Sequence, residues 1–449
     1  MGAWPQLRET RTVGSERAPG TVIRCGVMDT MLADLAVSVV YFFEKAPHQE
    51  LLALGLARAL EHVPVFAGRL RTVDDRLEIV CDGSGVPMSS YNVDETLAEA
   101  MARVTLPGAD LVDHIDATRA RTGDQPLLTV RISRLADGGM ALGCCWHHAV
   151  GDIQSFMLLM RTWSAVVDGR PLPEVLLVED QDANLDRVLP AEDSGRPGFR
   201  LVDAEEAAFL AREVEVSGRA NRTVQVYFGD EEIRRMKEDF IGEAGRKLST
   251  GDVLGAHVVS CVRRLDGDEE TRWLTLPVNV RRPLDLPPGT IGNLLSEIHL
   301  PVPGGSAPYR LAVDIREAIE DFTGTHLNLR ANTDFLRGIG RARLAECVPL
   351  GFDPAQRRFT VSSWSRFGAY EISFQGRQPV FFSPAANLQL PWVSWLVEGV
   401  ANTGALWTAV LPARLAAKLR GQEGRALLHR FREPEDVLPA LASAQRKLL

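Results

Sequence analysis

The sequence lacks the patterns that mark several common classes of protein. Its six cysteines are scattered, and the one close pair, Cys144 and Cys145, is adjacent in the chain, where a disulfide would strain the backbone. Neither a disulfide framework nor a CxxC metal site is visible. Glycine-rich loops of the GxGxxG and Walker types are absent, and so is the GxSxG elbow of hydrolases. These absences argue against nucleotide-dependent and covalent-nucleophile chemistry.

Long apolar runs and excess positive charge are also missing. No run reaches membrane-spanning length, and residues 1–20 contain no apolar core of the signal-peptide type. Lys and Arg total 50 against 59 for Asp and Glu, so a net charge of -9 gives no basic field for nucleic acid or anionic lipid. We expect a cytoplasmic protein with reduced thiols, without a nucleic-acid or membrane partner.

The length and periodicity indicate two domains of mixed α/β structure. A chain of 449 residues exceeds the usual size of one hydrophobic core. After Gly169 the apolar periodicity lapses, and an Asp-, Glu-, Pro- and Gly-rich stretch to about residue 198 is the best linker candidate. Apolar patterns predict strands at 36–43, 76–81, 127–134, 140–146, 223–229 and 273–280, and helices at 49–62 and 156–167.

The most informative local feature is a histidine pair in GMALGCCWHHAVGDIQSF. A buried-type strand ends at His147 and His148, and an amphipathic helix begins just after Asp152. A side chain at such a junction is held by the strand while it faces a cleft, as a general base requires. Histidine suits that task because its unperturbed pKa lies near neutrality.

Two other interpretations of these residues stay open at this point. The histidines could be buried with satisfied ring nitrogens, and Asp152 could be only the N-cap of the following helix. Two histidines and a carboxylate are also a possible zinc ligand set. Adjacent residues on an extended strand point to opposite faces, however, so His147 and His148 do not converge on one ion, and we expect no metal.

Residues 126–169 resemble the catalytic region of the BAHD acyltransferases, whose motif HxxxD is matched here by His148 to Asp152. Five further segments resemble the family in the same order, so the resemblance covers nearly the whole chain. It implies that His148 is the general base and that Asp152 holds local structure, commonly through a salt bridge. The further segments are 26–45, 63–71, 246–264, 278–296 and 361–382.

The resemblance also implies the architecture and the reaction. We expect an α/β fold of two chloramphenicol acetyltransferase-like domains with mixed β-sheets and a channel between them. The expected divisions are 1–180 with the HxxxD motif, 181–222 as the crossover linker and 223–449 as the second domain. The implied monomer would transfer an acyl group from acyl-CoA, a co-substrate, to a hydroxyl or amine of a small specialised metabolite, with no permanently bound cofactor.

Two further groups of site residues follow. By resemblance, the Trp364 indole and the Ser362 hydroxyl lie near the oxyanion that forms during transfer. Independently of the family, a basic and hydroxyl-bearing turn just before a predicted helix start offers a seat for the phosphates of coenzyme A, although a solvated basic turn is an equal alternative. The residues of that turn are Arg246, Lys247, Ser249 and Thr250.

The sequence departs from the family at residues 373–377. The family's Asp-Phe-Gly-Trp-Gly is replaced by a segment that begins with Ser373, and the family's Asp pairs with an arginine that here would be Arg281 or Arg282. We therefore expect that arginine to have a different partner. Two alternatives to a coenzyme A-dependent enzyme remain: a condensation-domain-like acyltransferase that uses a carrier-protein thioester, and a non-acylating pseudoenzyme or scaffold.

Overall fold

The described strands of the computed structural model form two six-stranded sheets and two smaller ones. The structure describes residues 5–15, 20–106, 108–192, 195–267, 269–353, 358–385 and 391–436. In chain order the strands are β1 (Gln6–Val13), β2 (Val22–Arg24), β3 (Ala36–Phe43), β4 (Arg69–Val73), β5 (Arg76–Val80), β6 (Val86–Val93), β7 (Leu128–Leu135), β8 (Met140–His147), β9 (Phe199–Leu201), β10 (Asn221–Phe228), β11 (Arg272–Asn279), β12 (Leu295–Val302), β13 (Cys347–Pro349), β14 (Phe359–Ser363), β15 (Phe381–Pro384), β16 (Val393–Glu398) and β17 (Ala405–Pro412).

Helices alternate with these strands, as expected for a mixed α/β protein. Among the described residues, no helix is both long enough and apolar enough to cross a bilayer. In chain order the α-helices are α1 (Val27–Met31), α2 (Gln49–His62), α3 (Leu97–Arg103), α4 (Ala117–Ala120), α5 (Ile153–Asp168), α6 (Gln181–Val188), α7 (Ala204–Ala220), α8 (Asp230–Ala244), α9 (Thr250–Asp266), α10 (Pro308–Glu320), α11 (Leu329–Ile339), α12 (Ala413–Arg420) and α13 (Gln422–Leu428).

Each large sheet is mixed and lies against its own hydrophobic core. The first has the order β1-β6-β7-β8-β3-β15, with the β6–β7 pair parallel and the other pairs antiparallel. The second has the order β10-β17-β16-β14-β11-β12, with β14 parallel to both of its neighbours. One principal cluster of buried apolar residues is centred on each sheet, and the first cluster also includes residues from one face of the second sheet, such as Val393, Trp395 and Leu406. Two sheet-containing halves are therefore present, as the sequence predicts.

The first sheet contains one strand from the second half of the chain. β15 pairs antiparallel with β3, and Phe381 lies opposite Phe42. The side chain of Phe381 is fully buried there. This exchange joins the two halves, because an edge strand of one sheet comes from the sequence that builds the other. The proposed divisions at residues 180 and 222 stay a prediction.

The periodicity of apolar residues predicted the bounds of several strands and helices well. The composition of the linker stretch predicted its structure less well. Strand β3 and helix α2 have the predicted bounds, and α5 begins directly after Asp152 as predicted. The stretch between Gly169 and residue 198 is not wholly irregular, because it contains α6. That helix has low mean hydropathy and begins at an N-cap, Asp180, whose carboxylate accepts a hydrogen bond from the Ala183 amide. A short polar helix gives little periodic signal, so composition alone missed it.

Candidate active site

A largely apolar cavity lies between the two halves and has His148 in its wall. It encloses about 1310 Å³ of space not occupied by atoms, including its open mouth. The first half contributes His148, Asp152 and residues of α1 and β3, and the second contributes residues of β11, β12, β14 and β16. The predicted site residues His148, Asp152, Ser362 and Trp364 therefore share one cavity.

Asp152 joins the two halves at the base of this cavity. Its carboxylate caps α5 by accepting a hydrogen bond from the Ser155 amide at 3.0 Å. The same carboxylate forms a two-pronged ion pair with Arg281, at 2.7 and 3.1 Å, and accepts the Leu294 amide at 3.2 Å. Asp152 and Arg281 are each 2% exposed. The N-cap and the salt bridge are thus both present, and they hold the turn after β11 against the start of α5.

The two adjacent histidines have different environments. His147 ends β8 in full burial, with Nε2 3.2 Å from the Ala117 carbonyl and Nδ1 accepting the Ala149 amide at 3.2 Å. Burial lowers the pKa of His147 to about 4. His148 begins a 3₁₀ turn and lines the cavity. His147 therefore has a structural role, whereas His148 is partly accessible.

The ring of His148 is oriented by Asn293. Nδ1 lies 3.0 Å from Asn293 Oδ1, and the amide nitrogen of Asn293 donates to the His148 carbonyl at 2.8 Å. The same nitrogen donates to Asp29 Oδ1 at 2.8 Å, which fixes the orientation of the amide. Because Asn293 Oδ1 can only accept, His148 Nδ1 must carry the proton in the neutral ring. The lone pair is then on Nε2, for which no described residue supplies a hydrogen bond.

Burial shifts the pKa of both titratable groups that contact Asn293, His148 and Asp29. It lowers the pKa of His148 below its ordinary value of 6.5, so the free base predominates at neutral pH. Burial raises the pKa of Asp29 to about 6, while hydrogen bonds from Asn293 and Gly26 act in the opposite direction. Above that value the Asp29 carboxylate is ionised and can accept from both Asn293 and Gly26. At neutral pH the His148 imidazole is therefore neutral, and the Asp29 carboxylate is ionised and orients the Asn293 amide that contacts it.

Ser362 and Trp364 project from one face of the second sheet. Alternate residues of a strand point to the same side, and Thr360 and Ser362 of β14 line the cavity together with Trp364, which directly follows that strand. No described residue hydrogen-bonds the Ser362 hydroxyl or the Trp364 indole nitrogen, whereas the Trp364 amide is bound to the Leu396 carbonyl at 2.8 Å. Both side chains therefore keep a donor free to face the cavity.

The basic turn lies at the start of α9, and none of its four residues lines the cavity. Arg246 is paired with Glu317 at 2.8 Å and Glu320 at 2.7 Å. Ser249 is the N-cap of α9 and accepts the Asp252 amide at 3.2 Å. Lys247 is exposed, and Thr250 is half-buried. Of the four, Lys247 is the cation that no described residue neutralises through a salt bridge.

Arg281 has a different partner, as expected, but the premise that a carboxylate at position 373 would pair with it is wrong. Arg281 does have a carboxylate partner, Asp152, and it also donates to the Thr290 and Gly292 carbonyls at 3.0 and 3.1 Å. Ser373 lies instead at the other end of α5, where its hydroxyl donates to Asp168. Since α5 rises about 1.5 Å per residue, roughly 24 Å separates these ends. A carboxylate at position 373 would not reach Arg281.

Sequence reasoning missed Asn293 and Asp29 as functional residues. Both lie in segments that resemble the family, the 278–296 turn and the 26–45 segment, but no role was attached to either. Their contact spans 264 positions of the chain, so periodicity and local motifs carry no signal of it. Within the described ranges, no cluster of three or more His, Cys, Asp or Glu could hold a metal ion.

Comparison with known proteins identifies the family to which the chain belongs. The profile of the family described as "Transferase family" matches residues 7–398. Rosmarinate synthase of Plectranthus scutellarioides is 28% identical over 57% of the chain and 58% of its own length. Hydroxycinnamoyltransferase 1 of Oryza sativa subsp. japonica is 25% identical over 85% of the chain and 90% of its own length.

Two solved structures have similar folds. TRI101 of F. graminearum, crystallised with coenzyme A and T-2 mycotoxin, superimposes with a TM-score of 0.71 at 14% identity, covering 90% of this chain and 98% of that chain. The first condensation domain of the CDA synthetase gives 0.57 at 16% identity, with 92% and 96% covered. The fold is thus the two-domain, chloramphenicol acetyltransferase-like one. The chain belongs to the BAHD transferase family and is an acyltransferase.

Proposed function

We propose that the protein transfers an acyl group from acyl-CoA to a hydroxyl or amine of a small-molecule acceptor, with His148 as general base. One observation carries this proposal: Asn293 binds Nδ1 of His148, and the lone pair of Nε2 is left beside the cavity. A general base needs a lone pair within hydrogen-bond reach of the proton that it removes. His148 offers it in the neutral form that burial favours.

The reaction then proceeds in one ternary complex. Nε2 of His148 removes the proton of the acceptor as its oxygen or nitrogen attacks the thioester carbonyl. The tetrahedral oxyanion accepts hydrogen bonds from Ser362 and Trp364, whose donors are otherwise unengaged among described residues. Collapse of the intermediate breaks the carbon–sulfur bond, and the imidazolium of His148 protonates the departing thiolate. The protein ends in its starting protonation state.

The nucleotide end of coenzyme A is anionic and requires cations. Arg246, Lys247, Ser249 and Thr250 remain our proposed phosphate seat, with the main contribution now assigned to Lys247, because Arg246 is already neutralised by two glutamates. Lys247→Ala should raise the KM for acyl-CoA and leave the KM for the acceptor nearly unchanged. Equal KM values for acyl-CoA in the variant and the wild type would remove this turn from the binding site.

The test is a screen of acetyl-CoA, malonyl-CoA and longer acyl-CoA donors against a panel of alcohols and amines. Mass spectrometry detects the acylated product, and a thiol reagent measures the released coenzyme A. We expect product and thiol in equal amounts with the wild type, and neither above background with His148→Ala. Transfer from an acyl carrier protein but from no acyl-CoA would favour the condensation-type reaction, and binding without any transfer would favour a pseudoenzyme.

A further inference from the structure

The floor of the cavity carries one carboxylate that the reaction does not use. Alternate residues on four neighbouring strands face the cavity, and Trp395, Ser362, Pro277 and Glu297 belong to this set. Glu297 lies opposite Pro277 in the β11–β12 pair, and Ser362 lies opposite Trp395 in the β14–β16 pair. In the parallel β11–β14 pair, Thr275 lies opposite Thr360. Counting two residues further along both strands in the same register places Ser362 beside Pro277. Two strand spacings, about 10 Å, then separate Ser362 from Glu297.

The other acid in the wall is already neutralised. Asp152 is paired with Arg281, whereas no described residue donates a hydrogen bond to the Glu297 carboxylate. Its Oε2 faces His299 Nε2 at 3.3 Å, and the His299 Nδ1 contacts the Thr275 hydroxyl at 3.2 Å. Arg358 is close enough for Glu297 to raise its pKa, although burial lowers that pKa overall. Glu297 is thus a largely buried acceptor, with a side chain 19% exposed, that has spare hydrogen-bonding capacity.

The surroundings of Glu297 suit one end of the acceptor. Phe199, Pro349 and Phe352 line the same cavity and supply an apolar, partly aromatic environment. A carboxylate in such a setting repels the phosphates of coenzyme A and favours groups that can donate a hydrogen bond. The reacting group of the acceptor must lie near His148 and Ser362. The group about 10 Å away would therefore be a different part of the same molecule.

We infer that Glu297 selects acceptors that carry, besides the acylated hydroxyl or amine, a second hydrogen-bond donor at the far end of an apolar body. This inference rests on the proposed function. A second hydroxyl or amine binds the Glu297 carboxylate, while a carboxylate at the same end of the acceptor is repelled. The substrate class is accordingly an apolar diol, amino alcohol or diamine rather than an acidic metabolite.

The test uses tyrosol and 2-phenylethanol, two uncharged alcohols that share a primary hydroxyl and a ring and differ only in the distal phenol hydroxyl. Dissociation constants are measured by calorimetry, and kcat/KM is measured with acetyl-CoA, for the wild type, Glu297→Gln and Glu297→Ala. We expect the wild type to favour tyrosol by about tenfold or more, the size of one hydrogen bond to a charged group. Glu297→Ala should reduce that preference to about twofold. Glu423→Gln, at an exposed position in α13, is the matched control.

The outcomes separate this inference from the proposed function. Equal preference for tyrosol in the wild type and Glu297→Ala overturns the role of Glu297, even if acyl transfer is intact. Failure of the wild type to bind either probe also counts against the inferred acceptor class. Discriminating binding without acyl transfer from any acyl-CoA supports Glu297 and contradicts the acyltransferase chemistry. Circular dichroism and a melting temperature for each variant show whether a lost preference reflects a lost fold.

Discussion

The two ends of α5 use similar chemistry with different consequences. At its start, Asp152 and Arg281 form a nearly inaccessible ion pair that also caps the helix. At its end, Asp168 and Arg170 lie 3.9 Å apart, and the Arg170 side chain is 49% exposed. Both ends bind a segment from the second half of the chain. Solvent screens the second network but not the first, so we expect evolution to vary the second more freely.

The departure from the family pattern lies at the solvent-accessible end. Ser373 donates to Asp168, and its backbone exchanges hydrogen bonds with the Ser164 hydroxyl at 2.6 and 2.8 Å. Phe374 is fully buried between Phe43 and Trp163 and provides most of the apolar anchoring of the loop. The altered segment therefore keeps its packing. The hydrogen bonds of the segment around Ser373 are separated from His148 by the length of α5.

The largest effect should come from breaking the buried pair. Removing one partner leaves an uncompensated charge, so Asp152→Ala should lower the free energy of unfolding by about 3–5 kcal/mol and reduce activity as well. Urea unfolding measures this loss. The double variant Asp152→Ala with Arg281→Met also removes the charge that either single variant leaves unpaired. Its loss in the free energy of unfolding should therefore be smaller than the sum of the losses in the two single variants. Additive losses would mean that the two side chains do not act as a pair.

The next effect concerns the Asn293 amide, which orients the ring of the proposed base, His148. Asn293→Ala removes the acceptor for His148 Nδ1, so the productive ring tautomer and orientation are no longer favoured. Loss of one such bond predicts a kcat lower by about 10–100-fold, with the KM for acyl-CoA changed far less. Steady-state kinetics measure this result. Partial unfolding would also lower the apparent kcat at constant KM, so an unchanged melting temperature and circular dichroism spectrum are needed to assign the loss to the orientation of the ring. Asn92→Ala, at an exposed position in β6, serves as the control.

The pH dependence of kcat/KM should reflect the groups around His148, at the start of α5, and not those at its end. The proposed mechanism needs the unprotonated His148 ring, and burial lowers the pKa of His148 below 6.5. Activity is therefore present above that pKa and is lost as the pH falls through it, by about tenfold per unit on the limb. Asp29, with a pKa of about 6, also becomes protonated in this range. The acidic limb of kcat/KM should lie below pH 6.5, and a limb centred above pH 7 would disagree with the described environment.

The smallest effect is expected at the exposed end. An aspartate at position 373 would face Asp168, but Arg170 and water would offset much of the repulsion. Ser373→Asp should change the free energy of unfolding by about 1 kcal/mol or less and leave kcat/KM within about twofold. Ser373→Ala, which only deletes the hydroxyl bond to Asp168, is the matched control. A large fall in kcat/KM at unchanged stability would assign the loop to the active site after all.

The sequence predicted the local elements and the proposed base more fully than the long-range partners. Amphipathic periodicity and the HxxxD motif located β3, α2, α5, His148 and Asp152, because each signal spans only a few residues. Contacts across the domain interface had no such signal. Asn293, Asp29 and Glu297 come close to His148 or its cavity only after both sheets have formed. Their polar side chains are ordinary in sequence, and burial gives them their chemistry.

The most direct test compares alanine substitutions at the two adjacent histidines. We propose His148 as the base and assign a structural role to His147, whose ring binds Ala117 and Ala149 in full burial. His148→Ala should lower kcat/KM by about 10²–10⁴-fold with little change in melting temperature, and His147→Ala should cost about 2 kcal/mol or more of stability. A His148→Ala enzyme with wild-type kcat/KM would contradict the central claim.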